Sequence, residues 1–547
     1  MKTQFTHTTH DVTGGFSTIE LLIAFSVGII FLTAAMMVSF SDPTLARQIS
    51  LDSGQAAALD VSLDNNALAT SSNKLGNIVA KLTSNWKTAI SGDSPNSTSP
   101  YTNTPDITDI APCLKEISNA TTWSTLGARG RQITFGTALG DMTTAKALGR
   151  GGCDPIPPSE WDNPETDNLS QANVSGADNG TDVAVTSIDG IRYAFITSNP
   201  TGSGTSKKEF TVIDVSDTNV QAQDVKATLV MDEGLLALTV VGDYAYVLND
   251  DEVNHLQIID LTNPEVPVKL STSYTLPNIT CNYNANNCQR IGTSITYYDG
   301  YIYIGAGYMV GNSPEFHIYC INDNSVAGCS PTTPVARGSL NVNHDVNDIA
   351  IKDTRAYLAT SADYGELTVI DITSKTLPTL PPSYLNPLIN NRKYNAITTS
   401  NAASTEDGSS IYILGDYAYL GRERVNNQSE REFYVLNISN PSAITPVGSM
   451  SLGLAGCNGN GCSSPYLSGI VVKGKTAFVG TTDSNSSFFL IDLSQPSNPR
   501  PRNNCSDLNT SQTATSITIK DNLVFLSHAQ GSTLLKIIYD QGNACTQ

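Results

Sequence analysis

Glu20 stands at the head of an uncharged apolar run, Leu21–Phe40, within "GGFSTIELLIAFSVGIIFLTAAMMVSF" (residues 14–40). A lone carboxylate at the edge of hydrocarbon costs on the order of a few kcal/mol or more, so an acid placed there is a functional residue by default and needs a partner. The other reactive residue types are scattered. His255, His317, His344 and His528 lack the paired spacing of a metal site, and there is no GxSxG elbow, phosphate loop or activated cysteine. "NDDE" (249–252) and the aspartates Asp214, Asp260, Asp371 and Asp492 lack the glycine of a calcium loop, and aspartates in such places are expected to hydrogen-bond the turn that follows them. The sequence therefore nominates no catalytic residue, no metal ligand and no cofactor, and the single histidines are expected to be structural.

All ten cysteines, Cys113, Cys153, Cys281, Cys288, Cys320, Cys329, Cys457, Cys462, Cys505 and Cys545, follow the apolar run. Their spacing is not that of zinc knuckles, which favours disulfides in an oxidising compartment. The close pairs 281/288, 320/329 and 457/462 are the expected bonds, with 113/153 and 505/545 as the weaker pairing. With 51 acidic against 31 basic residues and a formal charge of -20, the chain is ill suited to grip nucleic acid.

The run 21–40 has the length of a membrane-spanning helix. It is too long for the core of a secretory signal, and the leader "MKTQFTHTTHDVTGG" and the following "SFSDPTLAR" lack that signal's basic start and small-residue cleavage site. Gly15, Phe16 and Glu20 in "GFSTIELLIAF" resemble the class III signal of type IV pilins and of the pseudopilins of type II secretion. The resemblance implies cleavage after Gly15 by a prepilin peptidase, N-methylation of Phe16 and assembly through the helix, with Glu20 at the fifth mature position. Glu20 then has its partner: the new amine at Phe16 of a neighbouring subunit, since opposite charges in low dielectric cost far less together than apart. Ser17, Thr18 and Glu20 also suit a helix start, a reading compatible with the first. The sequence departs from the family in its long leader and in Met37, which stands where a proline is usual.

Beyond the run, mixed three-and-four spacing of apolar residues predicts an amphipathic stalk helix to about Ile90. Ser91 to Pro105 reads as a polar linker, and residues up to 175 leave room for a small pilin-like head. From about residue 176 a repeat takes over. Its strongest copies lie at 240–267, 351–374, 413–441 and 472–496, and weaker ones at 187–217, 297–323 and 519–540. Each has a strand, a tight turn, an "AYV"-type strand, a variable loop and an "LTVID"-type strand. The turn residues Gly190, Gly242, Gly300, Asp353, Gly415, Gly474 and Asp521 recur at propeller-blade spacing. The copies resemble the LVIVD-type propeller repeat. The expected fold is mainly β: a seven-bladed β-propeller, closed by a strand from within 127–185, on a long N-terminal transmembrane and stalk helix. The expected boundaries are leader 1–15, helix 16–90, linker and head 91–175 and propeller 176–547.

The variable loops, both tight cysteine loops (281–288 and 457–462) and an insertion from Lys375 to Ser409 are expected on one propeller face, where binding surfaces are often built. The combined expectation is a bacterial filament subunit, minor or at the tip, that passes from the inner membrane to the cell surface and uses its propeller to bind a surface or glycan ligand. A secretion pseudopilin and a membrane-tethered propeller enzyme are the alternatives.

Overall fold

The computed structural model describes residues 54–84, 101–124, 130–141 and, with interruptions at loops, 161–540. These residues form two compact units. Among them no helix is long and apolar enough to cross a membrane. The expected membrane segment 21–40, with Gly15, Phe16 and Glu20, lies outside the described residues, as do Cys153, Cys281, Cys288, Cys457, Cys462, Cys505 and Cys545.

The smaller unit is a helix on a sheet. Helix α1 (Gly54–Ser84) covers the antiparallel sheet of β1 (Thr102–Ala111), β2 (Leu114–Ser124) and β3 (Gly130–Gly140). Leu63, Ala67, Leu75, Ile78 and Leu82 recur at three-and-four spacing on one face of α1, against Tyr101, Trp123, Ile133, Ile117 and Leu139. Between the two apolar patches lies a buried polar knot. Asn119 Nδ2 donates to Ser71 Oγ on the helix at 3.0 Å, and Thr121 Oγ1 donates to Asn103 Oδ1 at 2.6 Å. This knot explains one departure from expectation: residues 102–105, read from sequence as linker, are part of β1, because Asn103 is buried and satisfied while Thr102 and Thr104 face outward.

The larger unit is propeller-like. Seven small antiparallel sheets follow one another along the chain at residues 180–229, 235–274, 294–340, 346–394, 408–450, 467–508 and 514–540, here called blades 1 to 7. The inner strand of each blade contacts that of the next, and the inner strand of blade 7 contacts that of blade 1, which closes a ring. Apolar clusters fill the junctions. Leu248, Ile258, Ile302 and Ile304 join blades 2 and 3, for example, and Val435, Leu467, Val479 and Ile491 join blades 5 and 6. Burying each such side chain is worth about 1.5–3 kcal/mol, so the junctions contribute heavily to holding the ring.

All seven turn residues expected from the repeat have positive φ: Gly190, Gly242, Gly300, Gly415 and Gly474, with Asp353 and Asp521 at 56° and 53°. Aspartate is among the few non-glycine residues that tolerate this region, which is why the repeat accepts either residue. Blade 7 has only three strands of its own. Its outer strand comes from β4 (Pro164–Glu165) and β5 (Gln171–Asn173), which pair with Thr533–Asp540. This is the closing strand expected within 127–185.

Candidate functional site

The inner strands surround a channel of about 940 Å³ to which all seven blades contribute. Its geometry follows from a bulge near the start of the inner strands, seen in the registers of blades 1, 2 and 4 to 7. The bulged residue turns toward the neighbouring blade. Thr181 Oγ1 donates to Leu235 O at 2.9 Å, Asn347 Nδ2 to Gly408 O at 2.7 Å, Ser409 Oγ to Leu467 O at 2.8 Å and Thr515 Oγ1 to Gly180 O at 2.8 Å. Thr293 Oγ1 does the same to Val346 O. In each case the acceptor is the first carbonyl of the bulge on the next blade, so at five of the seven junctions one short polar side chain stitches the ring from inside.

The residue after the bulge is an aspartate in blades 1 and 4. Asp348 accepts from its own neighbour Ile349 N at 2.7 Å and from Ile411 N of blade 5 at 2.8 Å. Asp182 accepts from Val183 N at 2.8 Å, from Leu238 N of blade 2 at 2.9 Å and from Ser516 Oγ of blade 7 at 2.6 Å. Both line the channel. Each keeps some accessible surface, yet the surrounding walls strip most water from it. This desolvation raises the Asp182 carboxyl above its ordinary range and pushes Asp348 up to about 7, against the opposing effect of the amides.

A second polar ring closes the hairpins of strands two and three. The residue preceding the third strand is Glu209, His255, Glu315, Glu366 or Glu432 in blades 1 to 5, all buried. In four of these blades it accepts the amide just past the fourth strand: Glu209 from Met231 N at 2.9 Å, His255 Nδ1 from Leu276 N at 3.0 Å, Glu315 from Val342 N at 2.8 Å and Glu432 from Leu452 N at 2.9 Å. Glu366 instead faces Arg422 of blade 5 at 3.1 Å, with both side chains fully buried. Burial pushes Glu315 up to about 7, and it pushes His317 and His528 down to about 4. Three of the four histidines singled out in the sequence are thus buried in the fold. Sequence reasoning missed the glutamates because the role is fixed by an amide some twenty residues away and is filled equally by glutamate or histidine.

The strand-end aspartates behave as expected. Asp214, Asp260, Asp371 and Asp492 accept from Ser216, Thr262, Thr373 and Ser494 N at 3.0, 2.8, 2.9 and 2.8 Å. Among the described residues no group of three His, Cys, Asp or Glu side chains is placed to hold a metal. Cys320 and Cys329 are disulfide-bonded to each other as expected, and Cys113 is also disulfide-bonded. The insertion from Lys375 differs from expectation at its start. Thr379 bridges to Asp371, and Lys393–Tyr394 pairs with Leu367–Thr368, so the segment carries the fourth strand of blade 4 and begins at the end of the blade away from the loops between strands two and three.

Among the described residues, six carboxylates line the channel (Asp182, Asp250, Asp345, Asp348, Asp407 and Glu423) against one cation, Lys520. Such a lining disfavours anions and suits a neutral polyhydroxyl or cationic ligand.

Four segments, residues 237–275, 344–386, 407–451 and 466–507, match the LVIVD repeat. The chain carries LVIVD repeats. They fall on blades 2, 4, 5 and 6, and their name reflects the third strand, as in "LTVID" of blade 4. No curated protein matches the sequence significantly. Among solved structures, a chain of the mitotic checkpoint complex is similar at 10% identity, with a TM-score of 0.41, over 71% of this chain and 95% of that one. BamB from Moraxella catarrhalis is similar at 12% identity and a TM-score of 0.35, over 70% and 98%. A hypothetical selenium-binding protein from Sulfolobus tokodaii is similar at 11% identity and a TM-score of 0.39, over 69% and 88%.

Proposed function

We propose that the protein is a pilin-like filament subunit, minor or at the tip, that displays a seven-bladed β-propeller for binding to a surface. The Gly15, Phe16 and Glu20 constellation before an uncharged apolar run carries this reading. Prepilin peptidase cuts after Gly15, Phe16 becomes the methylated N-terminus, and the Glu20 carboxylate neutralises the Phe16 amine of the adjacent subunit in the filament. The long N-terminal helix holds the chain in the inner membrane before assembly. A helix lying on a three-stranded antiparallel sheet, directly after that segment in the chain, suits a small pilin-like head. The propeller then presents its loops and acidic channel mouth to a neutral or cationic ligand such as a cell-surface glycan.

The test is mass spectrometry of the mature N-terminus together with imaging of surface filaments. Methylated Phe16 in filament material is expected, and Gly15→Ala is expected to block maturation. A chain still starting at Met1 in purified filaments rules the reading out.

A further inference from the structure

The junction between blades 7 and 1 is stitched on its inner side, as four others are: Thr515 reaches Gly180 O and Ser516 reaches Asp182. What sets the closure apart is on the outer side, where the fourth strand is borrowed from the chain ahead of blade 1. β4 and β5 bring two and three residues to the ladder with Thr533–Asp540. Each such hydrogen bond contributes only about 1 kcal/mol net, so side chains packed at the ends of the ladder weigh heavily in the closure.

Trp161, just ahead of β4, is only 2% exposed and is among the largest fully enclosed side chains of the molecule. Its backbone N–H donates to Asp540 Oδ2 at 3.0 Å, at the end of the last strand of blade 7. Its indole Nε1–H donates to Asn522 Oδ1 at 2.9 Å, in the turn between the first two strands of the same blade. Its ring meets Phe478 of blade 6 edge to face, with centroids 5.0 Å apart, inside the apolar cluster that joins blades 6 and 7. The backbone φ of Trp161 is 48°, a region that a bulky residue adopts only when its surroundings hold it there. One side chain therefore spans two blades and fixes the closing segment at the point where the chain enters the ring.

We propose that Trp161 is the fastening of the propeller: it sets the free energy at which the closing strands 164–165 and 171–173 detach from blade 7. The proposal does not depend on what the N-terminal region assembles with, since the chain enters the ring here in any case. Among the described residues, the ladder of β4 and β5 and the buried Val174 hold the outer strand beside the indole, and without the indole the closing segment opens while the other blades stay shut.

Hydrogen exchange followed by mass spectrometry on the full chain tests this, comparing wild type with Trp161→Phe and Trp161→Ala. Trp161→Phe keeps an aromatic ring against Phe478 but loses the indole donor, and it is expected to speed exchange about tenfold in 164–173 and 533–540, the equivalent of one buried hydrogen bond. Trp161→Ala is expected to raise exchange there by about a hundredfold or more while blades 2 to 5 stay at wild-type rates. If Trp161→Ala does not fold, Trp161→Phe alone decides. Wild-type exchange in 164–173, or an equal rise in all seven blades, overturns the proposal.

Discussion

Asp348 bonds two blades with one carboxylate while the channel wall withholds the water that its charge prefers. The consequence is a pH dependence whose sign can be worked out. Asp348 and Glu315 titrate near 3.8 and 4.5 when unfolded and near 7 when folded, because burial dominates over their amide donors. A raised carboxyl contributes stability that is fully present below the unfolded value and lost as pH rises through about 7. His317 and His528 run the other way. Burial depresses them from 6.5 to about 4, so their contribution is present above 6.5 and lost as pH falls toward 4. Between about pH 4 and 6.5 the two pairs oppose each other, and above that only the carboxyls titrate. Thermal melts are therefore expected to show Tm falling from about pH 6.5 to 8. Asp348→Asn combined with Glu315→Gln removes the titration and should flatten that fall, at the cost of a lower Tm overall from imperfectly paired amides. An unchanged slope in the double variant means that neither carboxyl is responsible. None of this was legible in the sequence, because Asp348 differs from the turn-bonding Asp371 only in its distance from a bulge that no residue type announces.

The blades themselves were legible because their signals are local. Glycine or aspartate at a left-handed turn, alternating apolar strands and an aspartate that accepts from the turn after strand three each depend on residues within two or three positions. The closing strand was legible only as a requirement. Trp161 sits in the polar, proline-rich "PPSEWDNPE", and its partners Phe478, Asn522 and Asp540 lie more than three hundred residues away. A fragment of residues 160–547 is therefore expected to melt cooperatively at a higher temperature than one of residues 176–547, which leaves blade 7 without its outer strand and without the indole. Equal melting temperatures would mean that the closing strand adds nothing to stability. The Glu366–Arg422 pair gives a second prediction at this scale. Removing one partner from a fully buried pair leaves an uncompensated charge, so Glu366→Ala should cost about 3–5 kcal/mol in chemical denaturation. Replacing both, as in Glu366→Leu with Arg422→Met, should recover most of that loss, since packed apolar groups of similar size avoid the desolvation penalty. If the double variant is as unstable as the single, the pair stabilises through its attraction and not merely by mutual compensation.

Among the described residues, the apolar clusters under α1 and those of the ring share no side chain. α1 packs on β1 to β3 through Ala67, Ile78, Trp123 and Ile117, while the propeller clusters draw on its own blades and on Trp161. Among the described residues the ring closes by pairing of 164–165 and 171–173 with strand 533–540. The role of Glu20 is testable by substitution while the melting of the propeller is followed. If Glu20 acts between subunits, by neutralising the Phe16 amine of a neighbour, then Glu20→Ala should leave the melting of the propeller unchanged and should not alter cleavage after Gly15. It should sharply reduce incorporation into filaments, because an amine without its carboxylate is left in a low-dielectric bundle. Glu20→Gln is the sharper control: it keeps the size and the hydrogen-bonding capacity but removes the charge, so it should assemble as poorly as alanine if charge neutralisation is what matters. Quantifying the subunit in sheared filaments and in the membrane fraction separates the outcomes. Normal incorporation of both variants removes the charge-pair role, and loss with alanine but not with glutamine reduces Glu20 to a helix cap.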